Sequence, residues 1–217
     1  MNQKIIEQQN YWDKEIDNFD AIYSQKKSNL GKLLDKIFRW DMYERFNYTL
    51  KNSEPIQGRR FLDVGCGTGV YSLELARRGA SQVVGIDISP NMIQVCQQRA
   101  EENSLVDRTM FLQTDLLEYP LDSKFDVCIG IGLFDYIKEP LPVIKKMRES
   151  VRDRAIMSFP RLWTWRAPLR KIRLGLRGCD VYFYTRTRID QLLKQAGFNR
   201  YEIERVGKLY CVTAFVE

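Results

Sequence analysis

The stretch that most limits how this chain can fold is Phe61-Leu62-Asp63-Val64-Gly65-Cys66-Gly67-Thr68-Gly69. Phe61, Leu62 and Val64 suit a strand buried on both faces. Three glycines then alternate with small residues, and glycine accepts positive φ and lets backbone approach a ligand closely. Val70, Leu73, Leu75 and Ala76 follow at helical spacing. A strand, a glycine turn and a helix start make a nucleotide cradle, with amide hydrogens and the helix dipole aimed at the ligand. The spacing departs from the dinucleotide fingerprint G-x-G-x-x-G: the third glycine, Gly69, comes one place early, and Val70 stands where it is expected. Asp63, ahead of the first glycine, would repel a pyrophosphate and suits a ligand carrying an ammonium group.

The segments downstream alternate between strand and helix patterns, which predicts an α/β fold. Gln82 to Ile88 reads as the second strand. Asp87 at its end lies about the ~20 residues past the glycine turn expected of an acid that accepts from ribose hydroxyls. Ser89 as N-cap and Pro90 in the first turn begin a helix. Thr109 to Thr114 is a third strand, ending at Asp115-Leu116. Phe125 to Gly132 is a nearly continuous apolar run, as a central parallel strand should be, and it leads into Leu133-Phe134-Asp135-Tyr136. A helix is expected from Pro140 to Arg152 and a fifth strand from Arg154 to Pro160. A last helix, capped by Thr187 and ended by Gly197, precedes a hairpin of Tyr201–Val206 and Leu209–Val216 around Gly207-Lys208.

Asp63-Val64-Gly65-Cys66-Gly67-Thr68-Gly69 resembles motif I of the class I methyltransferases that use S-adenosylmethionine. That resemblance implies a Rossmann-like, seven-stranded, mostly parallel sheet with an antiparallel last strand, and an N-terminal helical cap over residues 1–55. Residues 56–217 would be the methyltransferase domain, with a basic insert near 161–184. It implies that Asp63, Gly65, Cys66, Gly67 and Gly69 hold the methionine and ribose parts of the cofactor. Asp87 would take the ribose, Ile88 and Met92 would flank the adenine, and Thr114, Asp115 and Leu116 would meet its edge. Gly130 and Ile131 would also contact the cofactor, where the chain leads into Leu133-Phe134-Asp135-Tyr136-Ile137, the segment that in this family faces the sulfonium and substrate. Tyr11-Trp12 and Phe19-Asp20-Ala21-Ile22-Tyr23 look like the aromatic cap of small-molecule members, in which Tyr11 or Tyr23 would line the pocket and gain cation–π attraction to the sulfonium. The order of elements, with a basic insert after the fifth strand and Tyr182-Phe183-Tyr184-Thr185 before the next helix, is similar to magnesium-protoporphyrin O-methyltransferases. Many small-molecule members carry a histidine after the fourth strand; Asp135 and Tyr136 stand there instead. Asp135 would act as a base or cap the following turn, and Tyr11 is the other candidate base.

Composition narrows the chemistry. The chain has no histidine, so imidazole bases, catalytic triads and histidine metal sites are excluded. The five cysteines are scattered with no C-x-x-C pair, so no metal site or disulfide framework is expected and a cytoplasmic setting is the simplest. The first residues are polar, unlike a signal peptide. Net charge is +6, and residues 161–177 mix Arg and Lys with Trp and Leu and contain no acid. Such a segment reads as a lid over an anionic substrate, a contact with an anionic membrane surface, or a solvated basic helix. Gly130-Ile131-Gly132-Leu133 replaces the Asn/Asp-Pro-Pro-aromatic signature of base-amino methylation and no Pro-Cys pair exists, so no nucleic acid partner is expected. The reading is direct methyl transfer from S-adenosylmethionine to a small, anionic or carboxylate-bearing acceptor, releasing S-adenosylhomocysteine, by a monomer or homodimer. The competing class is a non-catalytic sensor or scaffold that binds the same cofactor; nicotinamide redox chemistry is disfavoured by Val70.

Overall fold

Seven strands form one sheet in the order β3-β2-β1-β4-β5-β7-β6. They are β1 Arg60–Val64, β2 Gln82–Asp87, β3 Thr109–Gln113, β4 Phe125–Gly130, β5 Val151–Pro160, β6 Arg200–Val206 and β7 Leu209–Phe215. The coordinates are a computed structural model and describe residues 42–162 and 180–216. Residues 42–53 form helix α1; the other helices of eight residues or more among the described residues are α2 Val70–Arg77, α3 Pro90–Glu102, α4 Pro140–Ser150 and α5 Arg186–Gln195. The pairs β1–β2, β2–β3, β1–β4 and β4–β5 are parallel, whereas β7 runs antiparallel to both β5 and β6. The reversal comes from the hairpin: Gly207 at φ 54° closes a tight turn, and a turn that short can join only antiparallel strands. Among the described residues, no helix is long and apolar enough to cross a membrane.

Alternation along β1 sends its side chains to two cores. Phe61 joins Tyr48 and Leu50 of α1, Tyr71 and Leu75 of α2, and Val127, Ile129 and Ile156. Leu62 and Val64 join Val84, Phe134, Ile144, Met147, Phe159, Ile189 and Leu192 on the opposite face. Phe61, Phe134 and Phe159 are fully buried, each contributing roughly 2–3 kcal/mol. Phe134 stacks on Phe159 at 4.5 Å, and Tyr184 meets Phe159 edge-on at 5.1 Å.

Most expected elements form, with shifts at their ends. The helix begun at Pro140 stops at Ser150, and Val151 pairs at once with Phe125, so the sheet claims residues expected to be helical. The last helix is capped by Thr185, whose Oγ1 accepts from Arg188 N at 3.2 Å, and Thr187 lies inside the first turn. Ser89 caps α3 as expected, accepting from Met92 N at 3.1 Å. Of the expected N-terminal cap, residues 1–41 lie outside the described residues, as do residues 163–179 of the basic insert. Residues 42–53 pack into the core on the sheet.

Candidate functional site

The chain steps outward from β1 through β2 to β3, then returns to the other side of β1 as β4. A crevice opens at such a switch, beyond the carboxyl ends of the strands. Gly65, Gly67 and Gly69 lie at the end of β1 with φ of 68°, 54° and 77°, a region that residues with a Cβ enter at a cost. The amides of Gly65 and Cys66 both donate to the Ile86 carbonyl, at 2.8 and 3.0 Å, so β2 fixes the turn. A Cβ on Gly65 would come within 3.0 Å of Leu133 Cδ1, and one on Gly69 within 3.0 Å of Cys96 Sγ.

Asp87 joins three elements. Its Oδ2 accepts from Gly67 N at 2.9 Å and its Oδ1 from Ser89 N at 3.0 Å. Its carbonyl accepts from Thr114 N at 3.0 Å. One residue therefore ties the glycine turn to the start of α3 and the end of β3.

Asp63 is 2% exposed and its Oδ2 accepts from Ser72 Oγ at 2.6 Å. Burial pushes its carboxyl up to about 7; the Ser72 bond opposes this and the negative charge of Asp87 adds to it. Cys66 is buried, and its thiol is pushed up chiefly by the neighbouring Cys96 thiol and then by burial. Cys96 Sγ donates to the Gly67 carbonyl at 3.0 Å. Thr68 is fully buried, and its Oγ1 has no hydrogen-bond partner among the described residues. A buried hydroxyl left in this state inside a glycine turn fits a polar ligand group that would complete it.

The other expected contacts fall around the same edge. Ile88 is half-buried and Met92 is buried in the first turn of α3. Asp115 Oδ1 accepts from Leu117 N at 2.8 Å, so the carboxylate shapes the turn after β3, with Leu116 buried below. Gly130 packs against Met147, whose Cε would lie 3.0 Å from a Cβ there, and Ile131 belongs to the core under α1. Asp135 is buried, and its carbonyl accepts from Tyr182 N at 2.8 Å. Tyr184 Oη donates to the carbonyls of Phe134, at 3.1 Å, and Ile137, at 3.3 Å. The chain therefore leaves β5 at Pro160 and returns beside the segment that holds Asp135. Tyr11 and Tyr23 lie outside the described residues.

Three further residues stand at this edge. Ser72 is a polar residue on the buried side of α2, which was a readable signal. Ser158 is fully buried near the end of β5 and its Oγ accepts from Gly132 N at 2.8 Å. Arg45 on α1 places Nη1 3.3 Å from where a Cβ on Gly132 would stand; nothing local in the sequence marks either of these two.

The strand order with its reversed β7, and the glycine turn facing an acid at the end of β2, are those of the class I methyltransferase fold. The model of a family described as "Methyltransferase domain" matches residues 56–177, and the chain belongs to that family. The ubiquinone biosynthesis O-methyltransferase of Actinobacillus pleuropneumoniae is 30% identical over 122 residues, covering 53% of this chain and 50% of that protein. The ribosomal protein L11 methyltransferase of Photobacterium profundum is 34% identical over 97 residues, 44% of this chain and 32% of that protein. The chain thus spans half or less of the length of these curated relatives. Among solved structures, magnesium protoporphyrin IX methyltransferase of Synechocystis PCC 6803 with bound SAH superposes with a TM-score of 0.80 and 24% identity over 99% of this chain and 100% of that one. At that identity the likeness speaks for the fold.

Proposed function

We propose that this chain is an S-adenosylmethionine-dependent methyltransferase acting on a small molecule. The observation that carries the reading is the direct pairing of the positive-φ glycine turn with the Asp87 carboxylate of the neighbouring strand, beside the switch point. The turn offers backbone and the buried Thr68 hydroxyl to the amino-acid part of the cofactor, and Asp87 offers acceptor capacity to ribose hydroxyls. Asp63 is the carboxyl nearest in sequence to that turn and suits an ammonium group. Asp115, Ile88 and Met92 are the proposed adenine neighbours, and Tyr11 and Tyr23 the proposed aromatic lining.

The cofactor supplies a methyl group already activated on a sulfonium. The chain's own work is to bind, align and exclude water, and such positioning accounts for roughly 7–11 kcal/mol of a barrier. Asp135 or Tyr11 is needed as a base only for an acceptor that loses a proton. The acceptor proposed is anionic or carboxylate-bearing, and the proteins named above make magnesium protoporphyrin IX and a quinone precursor with a free hydroxyl the first two to assay. Residues 161–177 are the proposed lid or membrane contact, and a cytoplasmic monomer or homodimer the proposed form. Calorimetry with S-adenosylmethionine and S-adenosylhomocysteine tests the reading, followed by transfer of labelled methyl to both acceptors. Failure to bind either cofactor form at millimolar concentration overturns it; binding without transfer to any acceptor favours the sensor.

A further inference from the structure

We infer that Arg45 is the acceptor-binding residue that receives a carboxylate of the methyl acceptor. The inference rests on the methyltransferase reading and adds the residue that orients the acceptor. Helix α1 runs antiparallel to β5, and its contacts climb the strand in order. The Asn52 carbonyl accepts from Arg154 Nη1 at 3.0 Å. One turn earlier in α1, Tyr48 Oη lies 2.9 Å from Thr213 Oγ1, and Thr213 is the β7 partner of Ile156. The next turn back brings Arg45 beside Gly132, whose amide donates to Ser158 Oγ at 2.8 Å. Residues 154, 156 and 158 lead toward the carboxyl end of β5, so the helix delivers Arg45 to the same edge as the glycine turn.

There the guanidinium is closely placed. Arg45 Nη1 lies 3.3 Å from where a Cβ on Gly132 would stand, and Gly132 has φ 78°. Any side chain at position 132 would be strained and would press on the guanidinium. The next residue, Leu133, packs against Gly65 through its Cδ1. Two adjacent residues, 132 and 133, thus span from Arg45 to the proposed cofactor turn. Arg45 Nε is sealed from solvent although the residue is only half-buried, and Ile131, Phe46 and Tyr71 of the adjoining core are apolar or aromatic. A guanidinium stays charged at any working pH, and its planar fork matches a carboxylate. A carboxylate paired with Arg45 is a weakened nucleophile, so the group held there anchors the acceptor and a different atom receives the methyl.

The test uses protoporphyrin IX, a planar diacid, and its dimethyl ester, titrated by fluorescence against S-adenosylhomocysteine-loaded wild type, Arg45→Gln and Arg45→Lys. The wild type should bind the diacid at least about tenfold tighter than the ester. Arg45→Gln should abolish the preference, and Arg45→Lys, which keeps the charge and loses the fork, should retain part of it. Affinity for S-adenosylhomocysteine, measured in parallel, should be the same in all three proteins, which also reports that they fold. Absence of acid preference in the wild type, including failure to bind either porphyrin, overturns the inference, as does a preference that survives in Arg45→Gln. Loss of S-adenosylhomocysteine binding by the wild type itself would instead remove the methyltransferase reading, and this inference with it.

Discussion

The Asp87 carboxylate holds the Gly67 amide at 2.9 Å, so the acid at the end of β2 is also the clamp that shapes the turn at the end of β1. Removing it should weaken the cofactor in two ways, through lost ligand contacts and a relaxed turn. Hydrogen bonds to a charged group contribute about 1.5–3 kcal/mol each. Asp87→Ala should therefore weaken S-adenosylhomocysteine binding by roughly a hundredfold or more by calorimetry. A change under about threefold would separate Asp87 from the cofactor.

Asp63 should make the folded chain less stable as pH rises. Its carboxyl sits near 7 when buried against an ordinary value of 3.8. Between those values the folded chain keeps a proton that the unfolded chain has released, so unfolding free energy falls through that window. A shift of about three units corresponds to up to roughly 4 kcal/mol above pH 7 and nothing below the ordinary value. Asp63→Asn keeps an acceptor for Ser72 and should flatten the profile. In urea titrations of the unliganded protein it should match the wild type near pH 4 and exceed it at pH 8. Parallel curves for the two proteins would contradict this.

Gly69→Ala should be destabilising for two separable reasons. The position has φ 77°, and its Cβ would stand 3.0 Å from Cys96 Sγ. The left-handed conformation alone costs about 1–2 kcal/mol. Adding Cys96→Ala should recover the steric part and leave the backbone part. The urea midpoints of both single variants and the double variant measure the split; full recovery would mean that φ is not the constraint.

Tyr184→Phe should loosen the segment around Asp135 without touching the glycine turn. The lost hydroxyl serves the carbonyls of Phe134 and Ile137. Leaving a buried carbonyl without a donor costs about 1–3 kcal/mol. The thermal midpoint should drop, and kcat/KM for the acceptor should fall while cofactor affinity holds. An equal loss of cofactor affinity would place the effect elsewhere.

What a short window of sequence encodes was legible: the glycine turn, the acid closing β2, the Ser89 cap and the hairpin at Gly207. Each depends on neighbours within a few residues, where steric and capping rules act directly. The end of α4 and the start of α5 depart from what local patterns predict because Val151 answers to Phe125 in the sheet and Thr185, not Thr187, caps α5. The tertiary structure alone decided that Asp63 is paired with Ser72 and pushed up to about 7 by burial, that Asp115 serves its own turn, and that Arg45 lies beside Gly132. Those facts depend on burial and on contacts between distant segments. No local pattern carries that information, because it exists only once helix, sheet and turn share one core.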